Sequence, residues 1–174
     1  QLPPVGAGYV FRDIISSERF STACLTHIFR QASESLIVTN AHLVNRGEHI
    51  DLTKKDGDFF YLPCGTDEQI SATVAGLCKT RLPRAYGASV YDGIQVITPS
   101  RKGANGTEVL NGVLQAAINP ASSEKKERKY RDMVFREGDK VMQIRNDYDL
   151  VGEKPDGDIE NGIFNGDIGT IEKI

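Results

Sequence analysis

The chain has 174 residues, 39% of them hydrophobic, and a formal net charge of −3 at pH 7. This length allows one domain or two small domains with a buried core. Because the chain as a whole is not a polycation, any binding of nucleic acid must come from local basic clusters. No apolar run approaches the roughly 18 residues of a membrane span, so we expect no membrane partner.

The spacing of the cysteines and histidines predicts neither a C-x-x-C motif nor a metal site. Cys24, Cys64 and Cys78 have no C-x-x-C spacing, which is typical of reduced thiols in a cytosolic protein. The three histidines do not form a set that predicts a metal centre. We therefore expect a cytoplasmic protein without a metal site.

Residues 1–8 open the chain with a polar glutamine followed by two prolines and two glycines, a composition that predicts a surface turn. Since residue 1 is Gln rather than Met, we expect that the chain begins inside a longer polypeptide. Apolar spacing then predicts a short helix over residues 9–15 and a strand over residues 24–29. A longer helix is predicted over residues 33–46, with Gly47 as a left-handed stop.

The clearest start of a helix lies at Thr66. Its hydroxyl is predicted to cap the helix, and Gln69 three residues later completes a capping box. An apolar stripe continues to Arg81, and Pro83 is predicted to end the helix.

Two short β-branched or aromatic segments predict strands, over residues 59–62 and 93–98. A further helix is predicted from Thr107, as its cap, to the Asn-Pro pair at residues 119–120. Strands and helices thus alternate across residues 24–118. This order predicts an α/β fold with a parallel sheet and crossover helices.

The pattern changes after the last of these helices. Residues 122–129 contain no apolar residue and predict an exposed linker or hairpin tip, with a nucleic-acid contact as the less favoured interpretation. From Met133 onward the pattern is all-β, with strands predicted over residues 140–145 and 168–174. Three turn dipeptides of the kind used by tight hairpins favour a small, incomplete barrel: Asp156-Gly157, Asn161-Gly162 and Asn165-Gly166.

Arg30 and Gln1 are the candidates for contact with a nucleotide phosphate. Arg30 ends a predicted strand, where α/β sheets place ligand contacts, and its guanidinium matches phosphate oxygens. The alternative is an ordinary ion pair with a carboxylate such as Glu34. The Gln1 amide could bond to a phosphate or its water, and the alternative is a frayed polar terminus.

The loop over residues 98–103 is the third candidate site. It follows a predicted strand and precedes a helix, so its backbone N–H groups and two cations could meet a phosphate chain. An ordinary loop with a solvated Arg-Lys pair is the alternative. The candidate DNA-binding residues are those of this loop and two weaker ones on predicted strand 140–145: Thr98, Pro99, Arg101, Lys102, Lys140 and Arg145.

Several strings in order along the chain carry a resemblance: Gln-Leu-Pro-Pro-Val-Gly, Phe-Arg-Gln, Leu-Asn-Gly-Val-Leu-Gln and Phe-Asn-Gly-Asp-Ile-Gly. Together they resemble RecD-like DNA helicases of superfamily 1, of the exodeoxyribonuclease V alpha subunit type. The resemblance implies that residues 1–22 are the tail of a first motor domain and residues 23–121 part of a second, RecA-like one. Residues 122–174 would be a linker and an inserted Src-homology-like small barrel.

The resemblance also implies a function. The intact protein would be an ATP-dependent, 5′-to-3′ DNA helicase of recombination and repair that uses ATP and Mg²⁺. Arg30 and Gln1 would sense the γ-phosphate, and the loop at residues 98–103 would contact single-stranded DNA. Other recombination-complex subunits are further candidate partners.

The sequence contains no G-x-x-x-x-G-K-[ST] loop, so we expect no ATP hydrolysis, unwinding or bound cofactor for this segment alone. Two alternatives stay open. One is a conjugative-transfer helicase, and the other is a non-catalytic module that binds single-stranded nucleic acid or docks a subunit.

Overall fold

The computed structural model describes residues 6–24, 35–54, 57–87, 89, 91–153 and 157–174. The chain divides into two compact units, Gln1–Leu62 and Pro63–Ile174, which are described separately. Within the described ranges, none of the helices has the length and apolar character that a bilayer crossing needs.

The described residues of the first unit form two helices, α1 (Val10–Ser16) and α2 (Leu36–Asn45). The Ser35 side chain caps α2 by accepting from the backbone N–H of Val38 and donating to a carboxylate oxygen of Asp58. This hydrogen bond is the main reason that the pKa of Asp58 lies below its ordinary value. Both helices lie where the sequence predicts them, and the expected left-handed glycine after α2 is confirmed by a φ of +74° at Gly47.

The second unit begins with α3 (Asp67–Gly76), which Thr66 caps by accepting from the Gln69 N–H at 3.3 Å. The Gln69 side chain also reaches back, but to the N–H of Gly65 at 2.8 Å rather than to that of Thr66. The predicted N-terminus is therefore confirmed, with the reciprocal bond displaced by one residue.

The helix does not end at Pro83 as predicted. A π-helical segment (Leu77–Arg81) leads directly into α4 (Leu82–Tyr86), which contains the proline. In an α-helix the proline ring would clash with the carbonyl group four residues earlier, and the wider π-turn relieves this crowding. Helix α4 ends one turn after the proline, where Gly87 takes the left-handed conformation with a φ of +62°.

Helix α5 (Thr107–Ile118) packs against α3 and the π-helical segment. Its N-cap is Gly106, so the prediction of Thr107 as the cap is wrong: Thr107 lies in the first turn and its side chain makes no cap bond. Cys78 and Leu110 are the buried hydrophobic residues of the described chain, at 4% and 5% exposure.

Six strands follow among the described residues and form three antiparallel two-stranded pairs, a region that we call the barrel after its predicted fold. The sequence prediction of an all-β carboxyl-terminal part is thereby confirmed. The pairs are β1 (Glu127–Tyr130) with β2 (Met133–Arg136), β3 (Lys140–Met142) with β6 (Ile168–Thr170), and β4 (Asp147–Glu153) with β5 (Ile159–Ile163).

Three details of this region differ from the sequence predictions. The last three residues of the predicted linker at 122–129 belong to strand β1, where they pair with the more apolar β2. Strands β3 and β6 are shorter than predicted. Asn161-Gly162 lies inside β5 rather than in a turn: Gly162 is buried, and an added Cβ there would lie 3.2 Å from the carbonyl oxygen of Asp147.

The parallel sheet predicted across residues 24–118 is not among the described elements, which contain only antiparallel pairs. Residues 59–62 and 93–98 are neither helix nor strand, and residues 25–34 lie outside the described ranges. A strand exists only through hydrogen bonds to a neighbour. Ile97 is instead 88% exposed, and the carbonyl of Ile94 accepts from a side chain, Lys140, at 3.1 Å.

Candidate nucleic-acid interface

The loop between residues 98 and 106 is fixed by its own hydrogen bonds. The Thr98 hydroxyl donates to the carbonyl oxygen of Asn105 at 2.8 Å. The backbone N–H of Thr107 donates to the carbonyl oxygen of Ser100 at 3.1 Å. Gly103 makes the tight turn between them with a φ of +102°. The hydroxyl predicted as a ligand contact at Thr98 is thus used inside the loop.

A side chain at the end of the loop ties it to helix α3. Asn105 donates from Nδ2 to Asp67 Oδ1 at 2.7 Å and accepts at Oδ1 from the Ser71 hydroxyl at 2.9 Å. Both partners lie on the first two turns of α3. The loop therefore has a defined position on the second unit before any ligand binds.

The two cations of the loop point into solvent. Arg101 is 80% exposed at its side chain and pairs through Nε with Glu108 Oε1 at 3.0 Å, and Lys102 and Pro99 are also exposed. An exposed ion pair of this kind contributes at most about 1 kcal/mol, so a phosphate can compete for the guanidinium. The arrangement is a rigid backbone that presents two accessible positive charges.

The two candidates on the barrel differ in their surroundings. Lys140 is half-buried and donates to the carbonyl oxygen of Ile94, whereas Arg145 is exposed. Three residues after Arg145, Tyr148 forms an edge-to-face pair with Phe164, with ring centroids 5.8 Å apart, and Tyr148 is 69% exposed. The sequence predictions missed this pair, although an exposed aromatic beside a cation is a known signal of nucleic-acid binding.

A polar cluster connects the end of α5 to the turn between β2 and β3. We call it the helix–barrel joint and define it as Gln115, Asn119, Arg136 and Asp139. The Asp139 carboxylate accepts from Gln115 Nε2 at 2.6 Å, from Asn119 Nδ2 at 2.8 Å and from the Arg136 N–H at 2.8 Å. Asn119 and Arg136 are only 4% and 7% exposed. Sequence reasoning treated Asn119 only as the end of a helix.

Neighbouring groups complete this cluster. Arg136 donates from Nε to Glu127 Oε1 at 2.6 Å and from Nη1 to the carbonyl oxygen of Asn119. Lys125 Nζ donates to Asn119 Oδ1. Gly138 has a φ of +89°, and an added Cβ there would lie 3.3 Å from the Asn119 amide. The glycine is therefore required both by the turn and by the close approach.

Glu137, in the same turn, accepts two backbone N–H groups, from Ile174 at 3.0 Å and from Lys126 at 3.1 Å. These hydrogen bonds favour the charged carboxylate and lower the pKa of Glu137, with the bond from Ile174 as the largest cause. The turn between β2 and β3 thus holds the end of the chain as well as the end of α5.

The nucleotide-sensing candidates Arg30 and Gln1 lie outside the described residues. The prediction of their role therefore stays a prediction. Among the sequence-predicted candidates, the structure brings Thr98, Pro99, Arg101 and Lys102 together on one loop.

Two comparisons with known proteins agree on the kind of chain this is. Residues 110–174 match the family model described as "ATP-dependent RecD-like DNA helicase SH3 domain". The chain is also 31% identical, over 180 aligned positions, to the "ATP-dependent RecD2 DNA helicase" of Deinococcus radiodurans, with 99% of the chain and 21% of that relative covered. The chain thus spans about a fifth of the relative's length. No solved structure matches. The resemblance predicted from sequence is confirmed: the chain is similar to a RecD-like helicase over almost its whole length, and its carboxyl-terminal part matches the RecD-like SH3 domain.

Proposed function

We propose that this chain is part of an ATP-dependent DNA helicase of the RecD-like, 5′-to-3′ kind that acts in recombination and repair. Within it, the loop at residues 98–103 contacts the backbone of single-stranded DNA. The observation that carries the contact is the pair of exposed cations, Arg101 and Lys102, on a loop that is already fixed at both ends. The name of the Deinococcus radiodurans relative supports the wider function.

A fixed loop suits this task for a thermodynamic reason. Ordering a mobile loop on binding costs free energy, and a preformed loop avoids that cost. Each phosphate that is neutralised releases counterions, which makes the affinity fall steeply with salt. The net charge of −3 does not oppose this, since the contact depends on a local cluster.

We further propose that ATP hydrolysis requires sequence motifs that residues 1–174 do not contain. A P-loop would hold the phosphates with Mg²⁺, and no such motif occurs between residues 1 and 174. Arg30 would then reach the γ-phosphate from the second motor domain, as an arginine supplied across a domain boundary, and Gln1 would sense the same group. The segment alone would be inactive under this proposal.

The test is a comparison of variants in the complete polypeptide. We expect Arg101→Ala combined with Lys102→Ala to weaken binding of single-stranded DNA and to reduce the steepness of its salt dependence by about one to two phosphate contacts. Arg30→Ala should instead lower DNA-stimulated ATP turnover by about 10³-fold or more without weakening DNA binding. Binding is measured by fluorescence anisotropy at several salt concentrations, and turnover by phosphate release.

Arg46→Ala is the matched control for the loop, because Arg46 is also an exposed arginine paired through Nε with a carboxylate, that of Glu48. It should leave the salt dependence unchanged. An equal effect of the loop variant and the control would contradict the proposed contact. Salt-dependent DNA binding without any ATP turnover in the complete polypeptide would favour the non-catalytic alternative.

A further inference from the structure

Helix α5 connects the candidate DNA-binding loop to the barrel. Its first turn is bonded to the loop, through Arg101 to Glu108 and through Ser100 to Thr107. Its last turn carries two residues of the helix–barrel joint, Gln115 and Asn119, which are four positions apart and so lie on the same face of the helix. The twelve residues of α5 span about 18 Å between these two attachments.

The joint fixes orientation as well as contact. The side-chain carboxylate of Asp139 can only accept hydrogen bonds, and it accepts from three donors. The turn between β2 and β3 therefore fits the end of α5 in one arrangement. Because Asn119 is 4% exposed, water cannot easily replace a lost partner, and a shift of the turn would leave buried polar groups unsatisfied.

The barrel surface is tied to this joint through short connections. Strand β3 begins directly after Asp139 and pairs with β6. Beyond β3, the backbone of Gln143 exchanges hydrogen bonds with residues 166 and 167 at 2.9 and 2.8 Å. The exposed Arg145 follows two residues later and directly precedes Asn146, whose amide donates to the hydroxyl of Tyr148 at 2.9 Å.

We propose that Asn119 and Asp139 are positioning residues, which hold the loop at residues 98–103 and the Arg145 surface at one fixed spacing so that a single DNA strand engages both. This inference rests on the proposed function for the loop at residues 98–103, and it adds the Arg145 surface as a second contact with the strand. Two linked surfaces bind more tightly than either alone only when their geometry permits simultaneous contact. The joint supplies that geometry before the strand arrives.

The test uses a reversal of one hydrogen bond in the complete polypeptide. Asn119→Asp sets two carboxylates against each other, and Asp139→Asn sets two amide donors against each other. In the double variant, the amide of residue 139 donates to the carboxylate of residue 119, and its oxygen still accepts from Gln115 and the Arg136 N–H. The carbonyl oxygen of Glu137, which accepts from Asn119 Nδ2 at 3.1 Å in the wild type, has no such donor in the double variant, so the reversal restores one of the two bonds. The relocated charge lies beside Lys125 Nζ, which already bonds to the side chain of residue 119.

Binding is measured with two oligothymidylates, of about four and about sixteen nucleotides, which bracket the site sizes of single-strand-binding domains. Each single variant should bind the long strand about tenfold more weakly and keep its affinity for the short strand within about twofold, because only the long strand reaches both surfaces. The double variant should recover a measurable part of the long-strand affinity, at least about threefold over either single variant, because it restores the bond between residues 119 and 139 but not the one to the Glu137 carbonyl. Asn111→Asp, at an exposed position of α5, controls for added negative charge and should change neither affinity by more than about twofold.

Three outcomes would overturn the inference: equal weakening for both strands, no weakening for either, or no recovery in a double variant whose thermal unfolding resembles the wild type. If a single variant is unfolded, the folded double variant and the milder Gln115→Ala replace it in the test. For these variants too, the ratio of long-strand to short-strand affinity is compared with that of the wild type. Failure of the proposed function itself is distinguishable, because replacement of Arg101, Lys102 and Arg145 by alanine would then leave binding of both strands unchanged.

Discussion

Gly106 illustrates how a single residue can fix the backbone of a candidate site. Its φ is −74°, which any residue adopts, so conformational freedom is not the reason for glycine. The reason is space: an added Cβ would lie 2.5 Å from the carbonyl oxygen of Arg101 and 2.8 Å from the carbonyl carbon of Lys102. Real side chains do not approach backbone so closely, and here the obstacle is the loop that carries the two cations.

We therefore expect Gly106→Ala to lower the free energy of unfolding by about 1–3 kcal/mol, as overpacking does. The matched control is Gly112→Ala in the same helix, where nothing lies within 4 Å of the added methyl group. That change should raise stability by about 0.5–1 kcal/mol, because alanine favours helix over glycine. Urea denaturation measures both. The packing argument would be contradicted if both substitutions changed the free energy of unfolding in the same direction.

At the scale of elements, the two helix starts that sequence assigns to threonines behave differently. Thr66 accepts a hydrogen bond from the Gln69 N–H, whereas Thr107 follows the true N-cap, Gly106, and makes no cap bond. The sequence signal is stronger at Thr66, because Gln69 stands three residues later, whereas Leu110 holds that position after Thr107. At the second start the tightly folded loop before the helix places Gly106 at the N-cap, one residue earlier than the threonine suggests.

The two threonines give a paired prediction. Thr66→Ala should lower the free energy of unfolding by about 1 kcal/mol, because the first turn of α3 loses the acceptor for one of its free N–H groups. Thr107→Ala should change it by less than about 0.5 kcal/mol, since the threonine is exposed and in the first turn. Thermal unfolding followed by circular dichroism distinguishes the two. The reverse order of effects would show that Thr107 is the functional cap.

At the scale of the molecule, the sequence predicted the positions of helices better than the pairing of strands or the contacts between distant side chains. The helices from Val10, Leu36 and Asp67 begin close to where capping and periodicity place them. The strand predicted at residues 93–98 is absent because β-branched composition cannot specify a partner. The helix–barrel joint was also missed, since Asn119 and Asp139 are 20 residues apart and meet only after α5 and the hairpin have formed.

The whole chain also has a predictable response to acid. Within the described part of the chain, four carboxyl groups have a pKa below the ordinary value because they accept hydrogen bonds: Asp51, Asp58, Glu68 and Glu137. A group whose pKa is lowered by folding adds stability that is present above the unfolded value and is lost as the pH falls through the folded value. For Glu137 the ordinary value is 4.5, so its contribution to stability should begin to fall below about that pH and be lost once the pH has passed the lower pKa of the folded state.

We expect stability to be constant from neutral pH to about pH 5 and then to fall, with Glu137→Gln reducing the slope below pH 5. The amide imitates the protonated acid, because it can accept only one of the N–H groups of Lys126 and Ile174. The variant should therefore be less stable than the wild type at pH 7 and approach it near pH 3, as measured by urea unfolding across this range. Glu153→Gln, at an exposed position of β4, should keep the wild-type slope. A parallel displacement of the Glu137→Gln curve at all pH values would mean that the carboxylate charge contributes nothing and that only the shape of the side chain matters.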